Sequence, residues 1–379
     1  MTDLLRQEIA ATADTIVVKV GTRVLTGAKG ELDEARIASL TADVSALMQA
    51  GRKVALVSSG AVGSGMGLLG LAERPRDLAR LQAVAAVGQA SLVQAYDRAF
   101  RAFGRHAAQI LLTAEDLNDR TRYLNVRNTI LALFEFGAVP VINENDTVSV
   151  EELQTTFGDN DRLAALVTNL IRAPLLVLLS DVEGLYDADP ALPEARVVHT
   201  VTRLDESIFS LVRDRQTGLS KGGMASKLHA ARMATLAGEN VIIASGRQPD
   251  VLRRILAGEV VGTLVVAQGA AVPSWKRWIG FAAQPRGALV LDEGACRALA
   301  CQGRSLLAIG ITEVRGEFRK GDVVSLCNVQ GQELARGLTN YSAAEVRQIR
   351  GLRTDQIAQV LGHCPYHEVV HRDNLALTG

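Results

Sequence analysis

From Thr15 to about Ala267, short β-branched runs alternate with long amphipathic stretches rich in Ala and Leu. The runs TIVVKV (15–20), KVALVS (53–58), HAAQILL (106–112), AVPVI (138–142), PLLVLLS (174–180) and NVIIA (240–244) are close to continuously apolar, as strands buried on both faces are. Between them the spacing predicts helices over Asp33–Ala50, opened by an Asp suited to cap its first turn, over about Arg76–Phe103, near 121–136 and 159–172, and over Met224–Ala237. A glycine-rich segment after Ser58 reads as a loop. Strands and helices in this alternation give an α/β class: a mostly parallel sheet covered by helices on both faces.

Beyond WKRWIGF (275–281) the pattern changes to short strands, with Gly recurring every eight to twelve residues and one helix near 343–349. That texture predicts a small β-rich barrel or sandwich. Two domains follow, 1–274 and 275–379, the second including a short linker. PYHEVVH (365–371) alternates and reads as a strand.

Composition narrows the class without changing it. Of 379 residues, 48% are hydrophobic and 22% charged, the balance of a globular chain, which excludes disorder and coiled coil. The longest apolar run, Ala173–Leu179, is far short of the roughly 18 residues needed to span a bilayer. The N-terminus MTDLLRQEIAATAD lacks the basic and apolar regions of a signal peptide, so the expectation is a cytoplasmic protein without a membrane segment. Basic and acidic residues balance at 41 each, and both halves are close to neutral, so charge gives no support to a nucleic-acid partner. The four cysteines, Cys296, Cys301, Cys327 and Cys364, show no C-x2-C spacing. His363, His367 and His371 crowd beside Cys364, and a structural or surface role outweighs a metal site there.

Candidate chemistry gathers at the strand ends. Lys19 closes the first strand before Gly21, which suits either a bound phosphate or a lysine reaching past the strand edge. VSSGAVGSGMGLLG supplies the Ser58 and Ser59 hydroxyls and glycines that let backbone N–H groups approach an anion. Its formal G-x-G-x-x-G, Gly65–Gly70, sits too far past the strand for a dinucleotide site, and the chain has no G-x4-G-K-[ST]. Asn143, Glu144, Asn145 and Asp146, then Asp159, Asn160 and Asp161, flank one strand-to-helix connection. Amides and carboxylates without His or Cys suit a ligand bearing an ammonium group, or water-mediated Mg²⁺. GLSKGGMASKLHAA sets glycines, a Ser and Lys227 at a helix start, an anion site to which Lys221 adds charge.

The ordered set VVKVGT, VSSGAV, VINENDTV, FGDND, LLSDVEGLYDADP and GGMASK resembles the amino acid kinase family over about Thr15–Ala267, and within it the members that act on L-glutamate. The remainder resembles a PUA domain, a small β module first known from RNA-modifying enzymes. That resemblance implies ATP-dependent phosphorylation of the γ-carboxylate of L-glutamate to L-glutamate 5-phosphate, the first step of proline biosynthesis. It implies a catalytic set of Lys19, Lys227 and Asp161. Nucleotide contacts would come from Lys19, Gly21, Ser180, Asp181 and the segment Lys221, Gly222, Gly223, Met224, Ala225, Ser226 and Lys227. Glutamate contacts would come from Ser59, Asp146 and Asn160. Lys221 departs from the family, which usually has Thr or another small residue there. ATP and Mg²⁺ are expected, with no protein ligand assigned to the metal. Feedback inhibition by proline and a homo-oligomer are further expectations of the family, as is RNA binding by the PUA-like region.

Rival readings are a family relative acting on N-acetylglutamate, aspartate, carbamate or a nucleoside monophosphate, an RNA-binding protein, and a nicotinamide dehydrogenase. N-acetylglutamate has no α-ammonium and would leave the carboxylate-rich loop poorly used.

Overall fold

The structure, a computed structural model, describes residues 3–27, 31–148, 160–212, 223–268 and 274–378. The chain divides into two compact units, Met1–Asp116 with Thr121–Ala271, and Leu117–Arg120 with Val272–Gly379. Elements run α1 (Leu4–Thr12), β1 (Thr15–Val20), α2 (Thr22–Leu25), α3 (Glu34–Gln49), β2 (Lys53–Ser58), α4 (Ala61–Leu68), α5 (Leu78–Arg101) and β3 (Ala107–Leu112). They continue as α6 (Ala114–Asn118), α7 (Arg120–Glu135), β4 (Val139–Glu144), α8 (Asn160–Ile171), β5 (Leu175–Ser180), β6 (Thr200–Val201) and α9 (Glu206–Ser210). The first unit closes with α10 (Met224–Leu236), β7 (Asn240–Ser245), α11 (Val251–Leu256) and β8 (Thr263–Val265).

The first unit is built on an eight-stranded sheet in the order β3-β4-β2-β1-β5-β7-β8-β6. All its pairings are parallel except β7 with β8. β1, β4 and β5 are buried at every residue, which is why their sequences read as unbroken apolar runs. Each is sealed by helices that start where the sequence places a cap: Asp33 accepts from the Arg36 N–H at the head of α3, and Asp77 from the Arg80 N–H at the head of α5. The core of this unit joins Val18, Val20, Leu56, Val177 and Leu179 from the strands to Val44, Leu92 and Tyr96 from α3 and α5.

Because the strands are parallel, their carboxyl ends share one edge of the sheet. β1 connects onward to β2 on one side, whereas the strands after β5 extend to the other. The crevice between β1 and β5 is therefore where a ligand fits in such a sheet.

Several details depart from the sequence reading. The glycine-rich segment after Ser58 is the helix α4, not a loop. Its low intrinsic helix propensity is overridden by packing, because Gly65 of α4 and Gly88 of α5 let the two helices touch backbone to backbone. A Cβ at Gly88 would lie 1.8 Å from the Ala61 carbonyl oxygen. The N-terminal α1, which the pattern did not mark, is pinned by Arg6. That guanidinium is buried and donates to the Val261, His199 and Gly262 carbonyls.

The second unit adds α12 (Ser274–Arg277), β9 (Gly287–Leu291), α13 (Glu293–Gln302), β10 (Ile311–Gly316), β11 (Val323–Cys327), β12 (Glu333–Thr339), α14 (Ala343–Ile349), α15 (Thr354–Leu361) and β13 (Val370–Leu377). Its sheet runs β10-β9-β11-β12-β13, with β9–β11 the one parallel pair among the described residues. The helix expected near 343–349 is α14, held by a Ser342–Glu345 capping box. PYHEVVH is mostly irregular, and the strand starts only at Val370. Among the described residues no group of three or more His, Cys, Asp or Glu is arranged to hold a metal. His363 and His371 instead lie beside Glu345 and Asp373. No described helix is long and apolar enough to cross a membrane.

Candidate active site

Lys19 is the penultimate residue of β1, 5% exposed, with its ammonium at the carboxyl edge of the sheet. Its Nζ lies 2.6 Å from Oδ1 of Asp161, in the first turn of α8. Lys227, in the first turn of α10 and 4% exposed, donates to Asp161 Oδ2 at 3.0 Å. The Asp161 side chain is fully buried. Burial alone would raise its pKa, but the charges and hydrogen bonds of Lys19 and Lys227 outweigh that and hold it below the ordinary carboxylate range. One carboxylate between two ammonium groups leaves a net positive charge out of reach of bulk water. Such a charge attracts an anion strongly, because little solvent screens it.

The surroundings of these lysines fit a polyphosphate. The Gly21 N–H donates to the Leu179 carbonyl, and a Cβ on Gly21 would stand 3.8 Å from Lys19 Nζ, so glycine keeps the space beside the ammonium open. Helices α4 and α10 begin at Gly60 and Gly223 with no side-chain cap, unlike α3 and α5, and a helix start of that kind suits an anion. Gly60 sits at φ 113°, a conformation reserved for glycine. Met224, Ala225 and Ser226 form the first turn of α10. Lys221 and Gly222 lie outside the described residues, as does Asp159.

At the end of β5, Ser180 Oγ donates to Asp181 Oδ1, and Arg23 of α2 donates to Asp181 Oδ2 at 3.1 Å. Partial burial pushes the Asp181 pKa up, yet Arg23 and Ser180 together hold it below the usual value. Nothing in the sequence pattern singled out Arg23; its signal was only its place two residues past Gly21.

A second cluster adjoins this one. Val57 of β2 is in register with Ile142 of β4, which brings Ser59 level with the strand end that carries Asn143 and Glu144. Asn160, the first residue of α8, donates from Nδ2 to Ser59 Oγ at 2.8 Å and to Asn143 Oδ1 at 3.0 Å. Asn143 in turn donates to Oε1 of Gln89 on α5 at 2.8 Å. Ser59, Asn143 and Asn160, far apart in sequence, thus form one hydrogen-bonded set, and Asp161 follows Asn160 directly. Asp146 lies in the turn after β4, where its charge acts on Arg74. Gln89 was not marked by the sequence, being one of several polar residues along the amphipathic α5.

The amino acid kinase family model matches residues 14–245, and the PUA domain model matches residues 287–361. The chain belongs to the amino acid kinase family. Its relatives include the glutamate 5-kinase of Rhodopirellula baltica, 48% identical over 373 residues that span 98% of this chain and 96% of that protein. The glutamate 5-kinase of Bordetella pertussis is 46% identical over 374 residues, 98% of each chain. That of Methylococcus capsulatus is 47% identical over 364 residues, 96% of this chain and 97% of its own.

Proposed function

We propose that this protein transfers the γ-phosphoryl group of ATP to the γ-carboxylate of L-glutamate, making L-glutamate 5-phosphate for proline biosynthesis. The observation that carries the reading is the adjacency of two sites of opposite character. The Lys19–Asp161–Lys227 centre is net positive, whereas the Ser59–Asn143–Asn160 set ends in an amide oxygen. One suits a polyphosphate and the other the α-ammonium of an amino acid. Near-half identity to three glutamate 5-kinases across almost the whole chain supports the same substrate.

The γ-carboxylate of glutamate has a pKa near 4.3 and is already an anionic nucleophile at neutral pH. No general base is required. The chemical problem is to bring an anion to a polyanion and to stabilise charge on the transferring group, which is a matter of positioning and electrostatics. Lys19 and Lys227 supply the positive field, with Asp161 holding both ammonium groups in place. A carboxylate oxygen then forms its bond to the γ-phosphorus as the bond to the bridging oxygen breaks and ADP leaves. Ser59, Asn160 and Asp146 hold glutamate. Gly21, Ser180, Asp181 and the segment Lys221–Lys227 hold the nucleotide. Mg²⁺ bound with the nucleotide would offset charge on its phosphates, and none of the residues named above is assigned as its ligand.

The reading extends to a division into a catalytic domain, 1–274, and a PUA-like domain, 275–379. Proline inhibition and a homo-oligomer rest on the family, and a cytoplasmic location on the N-terminal sequence. A hydroxamate assay tests the reading: the full chain is given ATP, Mg²⁺ and hydroxylamine, with L-glutamate, N-acetylglutamate or aspartate as acceptor. Acyl phosphate trapped with L-glutamate alone is the expected result. Signal with another acid would keep the reaction class and discard the substrate.

A further inference from the structure

We propose that Gln89 is a positioning residue for the acceptor amino acid, setting the direction of an amide chain so that Asn160 offers an oxygen to the α-ammonium. The inference rests on the glutamate reading above. Gln89 is 8% and Asn143 is 3% exposed, so neither amide can turn to bulk water for a partner. The chain has one polarity throughout: Asn160 Nδ2 donates to Asn143 Oδ1, and Asn143 Nδ2 donates to Gln89 Oε1. Asn160 spends its Nδ2 on Ser59 and Asn143, while its buried Oδ1 has no hydrogen-bond partner. At the far end the buried Gln89 Nε2 is likewise without a partner. The network therefore leaves an acceptor open at the site end and a donor open at the helix end.

An ammonium group only donates, so it requires the polarity in which Asn160 Oδ1 is open. Ser59 does not fix that choice, because a hydroxyl accepts or donates equally. Gln89, with its Oε1 turned toward Asn143, holds the chain in that polarity. If residue 89 offered no acceptor, reversing both amides so that Asn143 Nδ2 donates to Asn160 Oδ1 would exchange an orphaned buried N–H for an orphaned carbonyl oxygen, the less costly of the two. Asn160 would then present N–H groups to the ammonium, and binding would weaken for an amino acid but not for ATP.

The test compares wild type, Gln89→Met and Gln89→Glu as full-length enzymes. Met copies the shape of Gln without an acceptor, and an ionised Glu is acceptor-only. Gln89→Met should raise KM for L-glutamate about tenfold or more, the usual effect of losing a hydrogen bond to a charged group, and leave KM for ATP within about twofold. It should also lower the preference for L-glutamate over glutarate, which lacks the ammonium, by a similar factor. Gln89→Glu should keep KM for L-glutamate within about threefold of wild type, since its oxygen still accepts from Asn143. An unchanged KM in Gln89→Met, or an equal rise in both variants, would overturn the proposal. Should Gln89→Met not fold, a tenfold rise in Gln89→Glu would overturn it and a value near wild type would support it. Failure of the underlying reading looks different, for the wild type itself would then make no acyl phosphate from L-glutamate, and this proposal would fall with it.

Discussion

Lys227 Nζ donates to Asp161 Oδ2 at 3.0 Å across 66 positions of sequence, in a place where the carboxylate has no contact with water. The same carboxylate also meets Lys19 at 2.6 Å. Two lysines buried side by side would repel one another and shed a proton, because burial and a like charge both disfavour the ammonium. Asp161 removes both pressures while leaving one unit of positive charge over. A centre neutralised completely would have no attraction for a phosphate, and a bare dication would not survive burial.

Asp161→Asn should consequently damage both stability and catalysis. Removing one partner from a buried ionic group strands the other, at a cost of about 3–5 kcal/mol. Urea unfolding should register that loss, and saturating nucleotide should recover part of it by supplying the missing negative charge. A variant of wild-type stability would mean that the lysines are not held as described.

Lys227→Ala should act on the chemical step. Charge on the transferring phosphoryl group grows toward the transition state, so the ammonium is worth most there. The expected outcome is a fall in kcat of about 10²–10³, the usual cost of one electrostatic stabiliser, with a much smaller change in KM for glutamate. An unaltered kcat would remove Lys227 from the mechanism.

Acid stability provides a check that needs no turnover. The folded-state pKa of Asp161 lies below its unfolded value of about 3.9, so the native state binds fewer protons in that window. Its contribution is therefore complete above about pH 4 and is lost as pH falls through the depressed folded value. Lys227→Met removes one of the two cations that oppose the effect of burial, so the folded pKa must rise and acid unfolding must begin at a higher pH than in wild type. Circular dichroism followed from neutral to strongly acidic pH would show the shift. Onset at the same or a lower pH would contradict the coupling.

How far the sequence reached follows from the range of the forces involved. β1, β2, β4, β5 and β7 were legible because strands buried on both faces are apolar at nearly every position, α3 because Asp33 marks its start, and α5 because its long stretch is amphipathic and rich in Ala and Leu. Lys19, Asp161 and Lys227 were visible as polar residues breaking apolar elements at sheet ends. Their meeting on a single carboxylate was not, since it depends on α8 and α10 converging on β1. The helix α4 was missed because its stability comes from a glycine contact with α5 that no local propensity encodes. Gln89 stayed hidden for the same reason: its partner Asn143 is 54 residues away.

Asp146→Asn separates substrate binding from chemistry. If the carboxylate holds the ammonium of glutamate, its loss should raise KM for glutamate by about tenfold or more and leave kcat and KM for ATP nearly unchanged. Steady-state kinetics with each substrate varied in turn would decide it. Normal glutamate affinity would place the ammonium elsewhere, and the open Asn160 Oδ1 would then be the leading partner.

Gly88→Ala tests whether the α4–α5 contact positions the acceptor site. The added methyl carbon would stand 1.8 Å from the Ala61 carbonyl oxygen and 2.3 Å from the Gly65 nitrogen, far inside van der Waals contact, and both obstacles are backbone. No side-chain rotation relieves such an overlap, so α4 must move away from α5. Overpacking of this kind typically destabilises by about 1–3 kcal/mol. Ala61 is the first residue of α4 and lies two positions from Ser59, so the displacement reaches the acceptor site directly. It reaches Lys19 and Lys227 less, because β1 and α10 do not depend on the α4–α5 contact. The variant should therefore lose stability and glutamate affinity while keeping its affinity for ATP. A uniform loss of both affinities would show instead that the contact supports the whole sheet edge.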